Sequence, residues 1–575
     1  MQNSEDHDWY RAGINPGQVP TRTFRYRKAG SRFADRLAGV FEQEALTDRD
    51  FIPIGKLDEL VTQTSVNQEL ARIEYLPAYV RHRLWRKTRP LIVIPSRQHG
   101  NGGAMSRQTE NNFQKIFAIL VWIRCPDRIW AFVKEEVHDG DLPLRLEHIS
   151  TSQGIVESLR RKTGSPADLT CLKARRDIRE FVNHQWFVLA PSFNPSEMTP
   201  VPRLIVSKGQ ILPFLDWDNK IQQGGSGEVS KVTIHQDHHS FTAQQVPNNV
   251  IAIKKIHHLH KDSFDREYNI LRHLRKMEHA NEHLVTLLAA YNQNDHFYLL
   301  LPWAEFDLYR YWHEKSPEAP YGDPRVSSWI HRQCCGLTGA VSTIHHYLTS
   351  SKTSILRDEY SMQPGSTQST GKNHDQVDDA KVRLTLKGRH GDIKPHNILW
   401  YPEQNGLGVL RLSDFGTAHF SSANRKSCYQ RDKMPSSWTY RSPESILPDG
   451  EVSGQCDVWA LGCVFLEFVC WYAGGCELLK QFEDDRASGH ESISFCYPKY
   501  NGRGKRTCMA IKEAVQEMFT KLQEKGQIQS DQGMKGLINT IQKDMLVISK
   551  GRKSTGNIHR DLGSVPETSE YLHNS

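Results

Sequence analysis

The sequence has no Cys-x-x-Cys pair, and its 11 cysteines are an odd set scattered over 575 residues. That spacing excludes a disulfide framework and a zinc ribbon, so reduced, mostly buried thiols are expected. Long apolar runs are missing as well. The clearest, residues 116–123, and a longer one, 458–473, interrupted by Glu467, both fall short of the roughly 20 residues that a membrane-spanning helix requires. Residues 1–7 are polar and acidic and lack the basic-then-apolar order of a secretory signal. An intracellular protein of cytoplasm or nucleus is expected, with no membrane partner. Charge of one sign is also scarce, with 73 Lys and Arg against 66 Asp and Glu for a net +7. No basic stripe with interleaved aromatics accompanies that small excess, so no nucleic-acid partner is expected. The densest basic run, residues 81–89, reads as a solvated helix face. Two histidine groups, His235 with His238 and His239, and His257 with His258 and His260, lack cysteine partners or a metal-binding helical pair and read as solvated loop residues.

What remains is ordinary globular composition, 38% apolar, in a chain long enough for two or three domains. Collagen-like, coiled-coil and wholly disordered classes are excluded. Up to about residue 200 apolar residues recur at three and four, as in Phe33, Leu37, Val40 and Phe41, then Leu57, Leu60 and Val61, which predicts a mainly helical region. Pro126 and Asp127 open a helix that buries Ile129, Phe132 and Val133, and Asp177 caps another carrying Ile178, Phe181 and Val182. Residues 97–108, with Gly100, Gly102 and Gly103, read as an exposed loop. From about Leu212 the pattern changes to short β-branched and aromatic segments, 229–234, 250–256 and 297–301. The helical period returns at Leu308, broken by a polar stretch, 347–381, that reads as a mobile insertion, and the final residues, 563–575, read as a flexible tail.

Three constellations carry chemistry. The first is Gly224-Gly225-Ser226-Gly227-Glu228-Val229, between two apparent strands. Glycines let main-chain N–H groups approach phosphate oxygens without a Cβ in the way, although a plain hairpin turn would read the same. The second is Lys254, set in the apolar strand Ile251-Ala252-Ile253, with Glu267 thirteen residues on in a helical pattern. A buried ammonium needs a carboxylate or phosphate partner, which a structural ion pair or a nucleotide's α- and β-phosphates would each supply. The third is the most specific: His390-Gly391-Asp392-Ile393-Lys394-Pro395-His396-Asn397, followed by Asp414-Phe415-Gly416. Phosphoryl transfer needs a carboxylate for the hydroxyl proton, oxygen ligands for magnesium and a cation on the moving group. Asp392, then Asn397 with Asp414, then Lys394 meet these needs.

With residues 439–444, Thr-Tyr-Arg-Ser-Pro-Glu, and 457–462, Asp-Val-Trp-Ala-Leu-Gly, this order of motifs resembles a eukaryotic protein kinase catalytic domain of the Ser/Thr type over residues 212–562. The resemblance implies an α+β fold with two lobes, a β-rich small lobe to 303 and a helical large lobe from 304, within a catalytic domain set at 205–562. ATP, with Mg2+, would bind between the lobes. Gly224, Gly225, Gly227, Val229, Ala252, Lys254, Pro302, Ala304 and Leu399 would hold the nucleotide, with the Pro302 carbonyl and the Ala304 N–H reading adenine and Leu301 behind it. Asp392, Lys394, Lys254 and Glu267 would be catalytic, and Asn397 and Asp414 would bind metal. Arg552 would pair with Glu444, and Leu271, Leu287, His390 and Phe415 would form the apolar column of the active state. A protein hydroxyl is the implied substrate. The N-terminal region, with Gln185-Trp186, Ala190-Pro191 and Leu212-Pro213-Phe214 ahead of the glycine loop, resembles large kinase-like proteins of filamentous fungi, a resemblance that implies no known role for it; residues 1–204 are expected to be of interaction or regulatory type, with a protein partner.

Two positions depart from the pattern. Gln222 replaces the first glycine of the loop, and Gly391 replaces the arginine before the catalytic aspartate. Loss of that guanidinium implies that phosphorylation at Ser421, Ser422, Ser427, Tyr429, Ser436 or Ser437 is not the main on-switch. His-Gly-Asp also resembles small-molecule phosphotransferases, and a pseudokinase-type scaffold is a further alternative, although Lys254, Glu267, Asp392, Asn397 and Asp414 are all present.

Overall fold

The computed structural model describes residues 32–71, 112–151, 154–167, 175–194, 201, 203–224, 227–257, 261–275, 281–315, 323–346, 348–349, 384–403, 406–422, 438–447, 452–488, 493–500, 506–548 and 551–564. Gly225, His258, His260, the basic run 81–89, the glycine-containing loop 97–108, and Ser427, Tyr429, Ser436 and Ser437 lie outside the described residues. So do nearly all of the insertion 347–381 and of the tail 563–575. The chain divides into two compact units. One comprises residues 1–194, 205–220 and 231–250, and the other 195–204, 221–230 and 251–575.

In the first unit helices dominate: α1 (Arg32–Ala38), α2 (Ile54–Leu60), α3 (Gln63–Ala71), α4 (Gln114–Trp122), α5 (Ile129–Lys134) and α6 (Arg175–His184). The short strands β1 (Glu42–Gln43) and β2 (Asp50–Phe51) pair with each other. α4 is the central element, because its apolar run leaves Ile116, Phe117, Ile119 and Leu120 wholly buried. Its first N–H groups are capped from a distance, Asp139 accepting from Lys115 N at 2.9 Å and Ile116 N at 3.0 Å. Rings close the core around it, with Phe33 against Phe117 and Phe132 stacked on Phe181. α6 begins at Arg175, so Asp177 lies in its first turn and favours the helix through the dipole rather than as the cap. The unit also holds an antiparallel sheet, β3 (Arg145–Thr151), β4 (Gly154–Arg160) and β5 (Pro166–Ala167), where the helical period predicted none.

The second unit places strands before helices. After β6 (Arg203–Ile205), β7 (Phe214–Gly224) and β8 (Gly227–Ile234), each shared in sequence with the first unit, comes β9 (Val250–His257). Helix α7 (Lys261–Leu274) and the hairpin β10 (Ala289–Gln293) and β11 (His296–Pro302) follow. β11 pairs antiparallel with both β10 and β9, placing Leu299 opposite Lys254 and Leu301 opposite Ala252. Beyond β12 (Phe306–Asp307) the unit is mainly helical: α8 (Leu308–Glu314), α9 (Pro324–His345), α10 (Gln455–Ala487), α11 (Glu513–Glu524), α12 (Gln532–Thr540) and α13 (Thr555–Gly563). α10 is long and apolar enough to cross a membrane by length and composition alone, yet 94% of its most apolar window is buried inside the protein, as in a core helix. It bends at Gly474 and Gly475, where Gly475 adopts φ +66°. The result is an α+β arrangement, strands before helices, as the resemblance implies.

Candidate active site

Strand alternation sets Ala252 and Lys254 on one face of β9, and burial of Ile251, Ile253 and Ile256 fixes the strand. On α7 the stripe Phe264, Glu267, Tyr268, Leu271 and Leu274 is buried at helical spacing, so Glu267 is carried inward with the apolar residues. The two side chains meet. Lys254 Nζ lies 2.8 Å from both Glu267 carboxylate oxygens and 3.0 Å from Asp414 Oδ1. Burial alone would push the lysine pKa down, but the two carboxylates outweigh it and hold it above the ordinary value, so the ammonium stays charged.

The loop 390–397 is suspended from Asp457 at the start of α10. That carboxylate, 2% exposed, accepts the His390 N–H at 2.7 Å and the Gly391 N–H at 2.9 Å. Burial would raise its pKa, but His345, 2.9 Å away, together with His390 and the Gly391 N–H, holds it below the usual carboxylate range. Gly391 has φ +85°, and a Cβ there would stand 3.2 Å from the Thr417 carbonyl oxygen. Glycine fits this left-handed conformation, and any other side chain would be strained in it. Asp392 follows at once. Its Oδ2 accepts from Lys394 Nζ at 2.8 Å and from Asn397 Nδ2 at 3.0 Å. The Asn397 carbonyl accepts the Ser413 N–H at 2.8 Å, which ties the loop to the strand Val409–Leu412 leading into Asp414.

Asp414 adopts φ +63° and ψ +75°, and Arg266 of α7 holds the adjoining turn by donating to the Gly416 carbonyl at 2.9 Å. Phe415 is buried with Leu271, Leu287 and His390, and its ring lies 5.2 Å from that of His390. Arg552 grips Glu444 in a bidentate pair at 2.6 Å for each contact.

The residues present fit magnesium ATP. Turned by its two bonds to Asp392, the Asn397 amide leaves an oxygen that accepts no hydrogen bond among the described residues, a hard donor alongside the Asp414 carboxylate. A Cβ at Gly227 would stand 2.5 Å from the Lys255 carbonyl oxygen of β9, so glycine is needed where β8 begins beside β9. The Pro302 carbonyl accepts the Tyr401 hydroxyl at 3.3 Å, and the Ala304 N–H donates to no backbone acceptor among the described residues. Val229 packs on the large core, Ala252 is buried, and Leu399 lies on the strand Ile398–Tyr401 opposite Asp307. Gly224 ends β7.

Sequence reasoning gave no role to Asp457, Arg266, Tyr440, Glu467 or Arg486. The aspartate of the Asp-Val-Trp motif carried a signal in its own conspicuous helix start, whereas a lone arginine in a helix carries none.

Residues 387–541 match the protein kinase domain family. The chain is 27% identical over 288 residues to a probable cyclin-dependent kinase 8 of Dictyostelium discoideum, covering 48% of this chain and 59% of the relative. It is 34% identical over 80 residues to cyclin-dependent kinase E-1 and 41% identical over 81 residues to cyclin-dependent kinase D-1, both of Arabidopsis thaliana. Those shorter matches cover 14% of this chain in each case, and 17% and 18% of the two relatives. The chain thus spans less than two thirds of the length of each of these relatives. The family match contains the suspended loop, the Asp414 turn and the Glu444 anchor, and the lysine bridge lies ahead of it, so over these residues the chain carries a protein kinase domain.

Proposed function

We propose that the chain is an ATP-dependent Ser/Thr protein kinase that moves the γ-phosphoryl of magnesium ATP to protein hydroxyls. One observation carries the reading: Lys254 bridges Glu267 and Asp414 while Asp392 is held between Lys394 and Asn397, so every charged part that the transfer needs is assembled in one unit. Magnesium ATP supplies the phosphoryl group and its charge neutralisation when bound. The residues of the chain do the rest. Asp392 accepts the proton of the substrate hydroxyl, and Lys394, 2.8 Å away, faces the charge that develops beside it. Lys254, oriented by Glu267, holds the α- and β-phosphates, and Asn397 and Asp414 offer oxygens to the metal. Gly224, Gly225 and Gly227 close over the phosphates, with Val229, Ala252 and Leu399 about the base and Pro302 and Ala304 at its polar edge. Lys394 two positions after Asp392 favours Ser and Thr over Tyr by the family's pattern.

The domain division at 1–204 and 205–562, with an intracellular setting, belongs to the same reading. The relatives' names tie those proteins to cyclins; here we infer only that residues 1–204 regulate the kinase or take a protein partner.

The test is mass-spectrometric detection of phosphoserine or phosphothreonine on the purified chain and on a basic protein substrate after incubation with magnesium and ATP, with Asp414→Ala as the control. Asp392→Asn is expected to lose about 10² to 10⁴ in turnover while retaining ATP binding. Unchanged turnover in that variant would sink the assignment. ATP binding without any transfer to protein would instead favour a scaffold or a small-molecule phosphotransferase.

A further inference from the structure

A buried cation on α10 has no part in the transfer chemistry. Arg486 is 2% exposed, and its guanidinium carbon lies 4.2 Å from the ring centroids of Phe482 and of Phe495. Its Nη2 donates to Glu467 Oε1 at 2.9 Å, while Nε and Nη1 have no hydrogen-bond partner among the described residues. The other carboxylate oxygen, Oε2, accepts the Tyr440 hydroxyl at 2.9 Å. Tyr440 belongs to the described segment 438–447. With Gly391, Asp392, Arg441 and Ser442 it lines a cavity of about 20 Å³ beside the catalytic loop.

Stability alone would not select this arrangement. An apolar side chain between the two rings would leave no orphaned donors, and buried ion pairs are often replaceable by packed hydrophobic residues. What an arginine adds is a fixed charge. Burial raises the Glu467 carboxyl, and Arg486 opposes that rise. An ionised carboxylate only accepts, so the Tyr440 hydroxyl must donate to it, and the ring is left with one direction. Burial and Glu467 together hold Tyr440 far above the usual tyrosine range, so the phenol keeps the proton it donates. The segment is then pinned at both ends, at Tyr440 on α10 and at Glu444 on Arg552.

We propose that Arg486 is a positioning residue for the acceptor peptide: through Glu467 and Tyr440 it fixes the wall of segment 438–447 along which a hydroxyl-bearing peptide reaches Asp392. It has no part in holding ATP. The inference rests on the kinase reading, because the acceptor hydroxyl must come within hydrogen-bond reach of Asp392 and therefore passes this wall.

The test uses the full chain carrying Arg486→Leu, Arg486→Lys or Tyr440→Phe, the last of which keeps the buried ring and the fold if Arg486→Leu does not. Peptide KM, kcat, KM for ATP and hydrogen exchange of residues 438–447 are measured. Arg486→Leu and Tyr440→Phe are expected to raise peptide KM about tenfold with KM for ATP within about twofold. Lysine at 486 should recover part of the loss, and the double variant should be no worse than the weaker single one, since both break one chain of contacts. Exchange of 438–447 should quicken in both. Unchanged peptide KM, or peptide and ATP constants worsening together, would overturn the proposal. Should the unmutated chain transfer no phosphoryl group where Asp414→Ala also transfers none, the kinase reading fails by itself. The exchange measurement then decides the positioning, slow exchange in Tyr440→Phe overturning it and fast exchange supporting it.

Discussion

His238 shows how a single residue turns burial into a pH dependence. It is 1% exposed, its Nδ1 donates to the Pro191 carbonyl at 3.0 Å, and its Nε2 accepts the Ile54 N–H at 3.2 Å. A proton on Nε2 would face a donor, and burial lowers the pKa from 6.5 to about 4, with nearby His235 adding to the effect. The unfolded chain therefore binds a proton that the folded chain refuses between pH 6.5 and 4. Stability from this residue is complete at pH 7 and falls as pH drops through that window, by up to about 3 kcal/mol below pH 4. Asp139, raised to about 6 by burial, works with the opposite sign, so the informative comparison is between two chains. Urea unfolding of His238→Gln against the unmutated chain should show the flatter dependence between pH 6.5 and 4. Parallel curves would refute a neutral buried imidazole. The sequence placed His238 among solvated histidines because three neighbours in a polar run look exposed. Only the distant partners Pro191 and Ile54 show otherwise.

At the scale of elements, the Arg552 to Glu444 pair joins residues 108 apart, one before α10 and one before α13, and so couples segment 438–447 to the helical core. Arg552 is 8% exposed and also donates to the Val547 and Gln455 carbonyls. Removing one partner of such a buried pair leaves the other charge uncompensated, at a cost of about 3 to 5 kcal/mol. Arg552→Ala is accordingly expected to lower the chemical-denaturation midpoint, and Arg552→Ala with Glu444→Ala to lower it by less than the sum of the two single changes. Strict additivity would count against the coupling. This pair was expected from the family resemblance alone, whereas Lys254 with Glu267, and Asp392 with Asn397 and Asp414, stood out as candidates because phosphate chemistry would demand such residue types in that order. The sheet β3 to β5 was not legible in the sequence. Leu146, Ile149, Ile155 and Val156 satisfy neither period cleanly, and positions 152–153 of the sequence are Ser and Gln rather than the Asn-Gly or Asp-Gly that marks a hairpin. Glu467 was equally hidden, since a carboxylate in an apolar run gives no hint that a residue 19 positions on neutralises it.

The whole molecule raises a question that its parts do not, because the first compact unit is not continuous in sequence. It takes in residues 205–220 and 231–250, which hold on to residues of the 1–194 stretch. Phe214 accepts the Ala45 N–H at 2.9 Å through its carbonyl and lies against Phe193, Ile211 packs with Phe51 and Ala190, and His238 reaches Ile54. The division drawn from the sequence at 204 and 205 can therefore be tested by truncation. A chain of residues 205–575 keeps Phe214 and Ile211 but loses the residues that cover them. Exposing two such side chains forfeits about 3 to 6 kcal/mol of burial, enough to lower Tm by about 10 °C in a unit of this size. Scanning calorimetry of the full and shortened chains, each with and without magnesium ATP, separates the outcomes. A lower transition for the shortened chain with ATP stabilisation intact would mean that residues 1–194 secure segments on either side of the glycine loop without forming the nucleotide site. Equal transitions would mean that those segments are held by other contacts, and that the catalytic domain is independent from residue 205 onward.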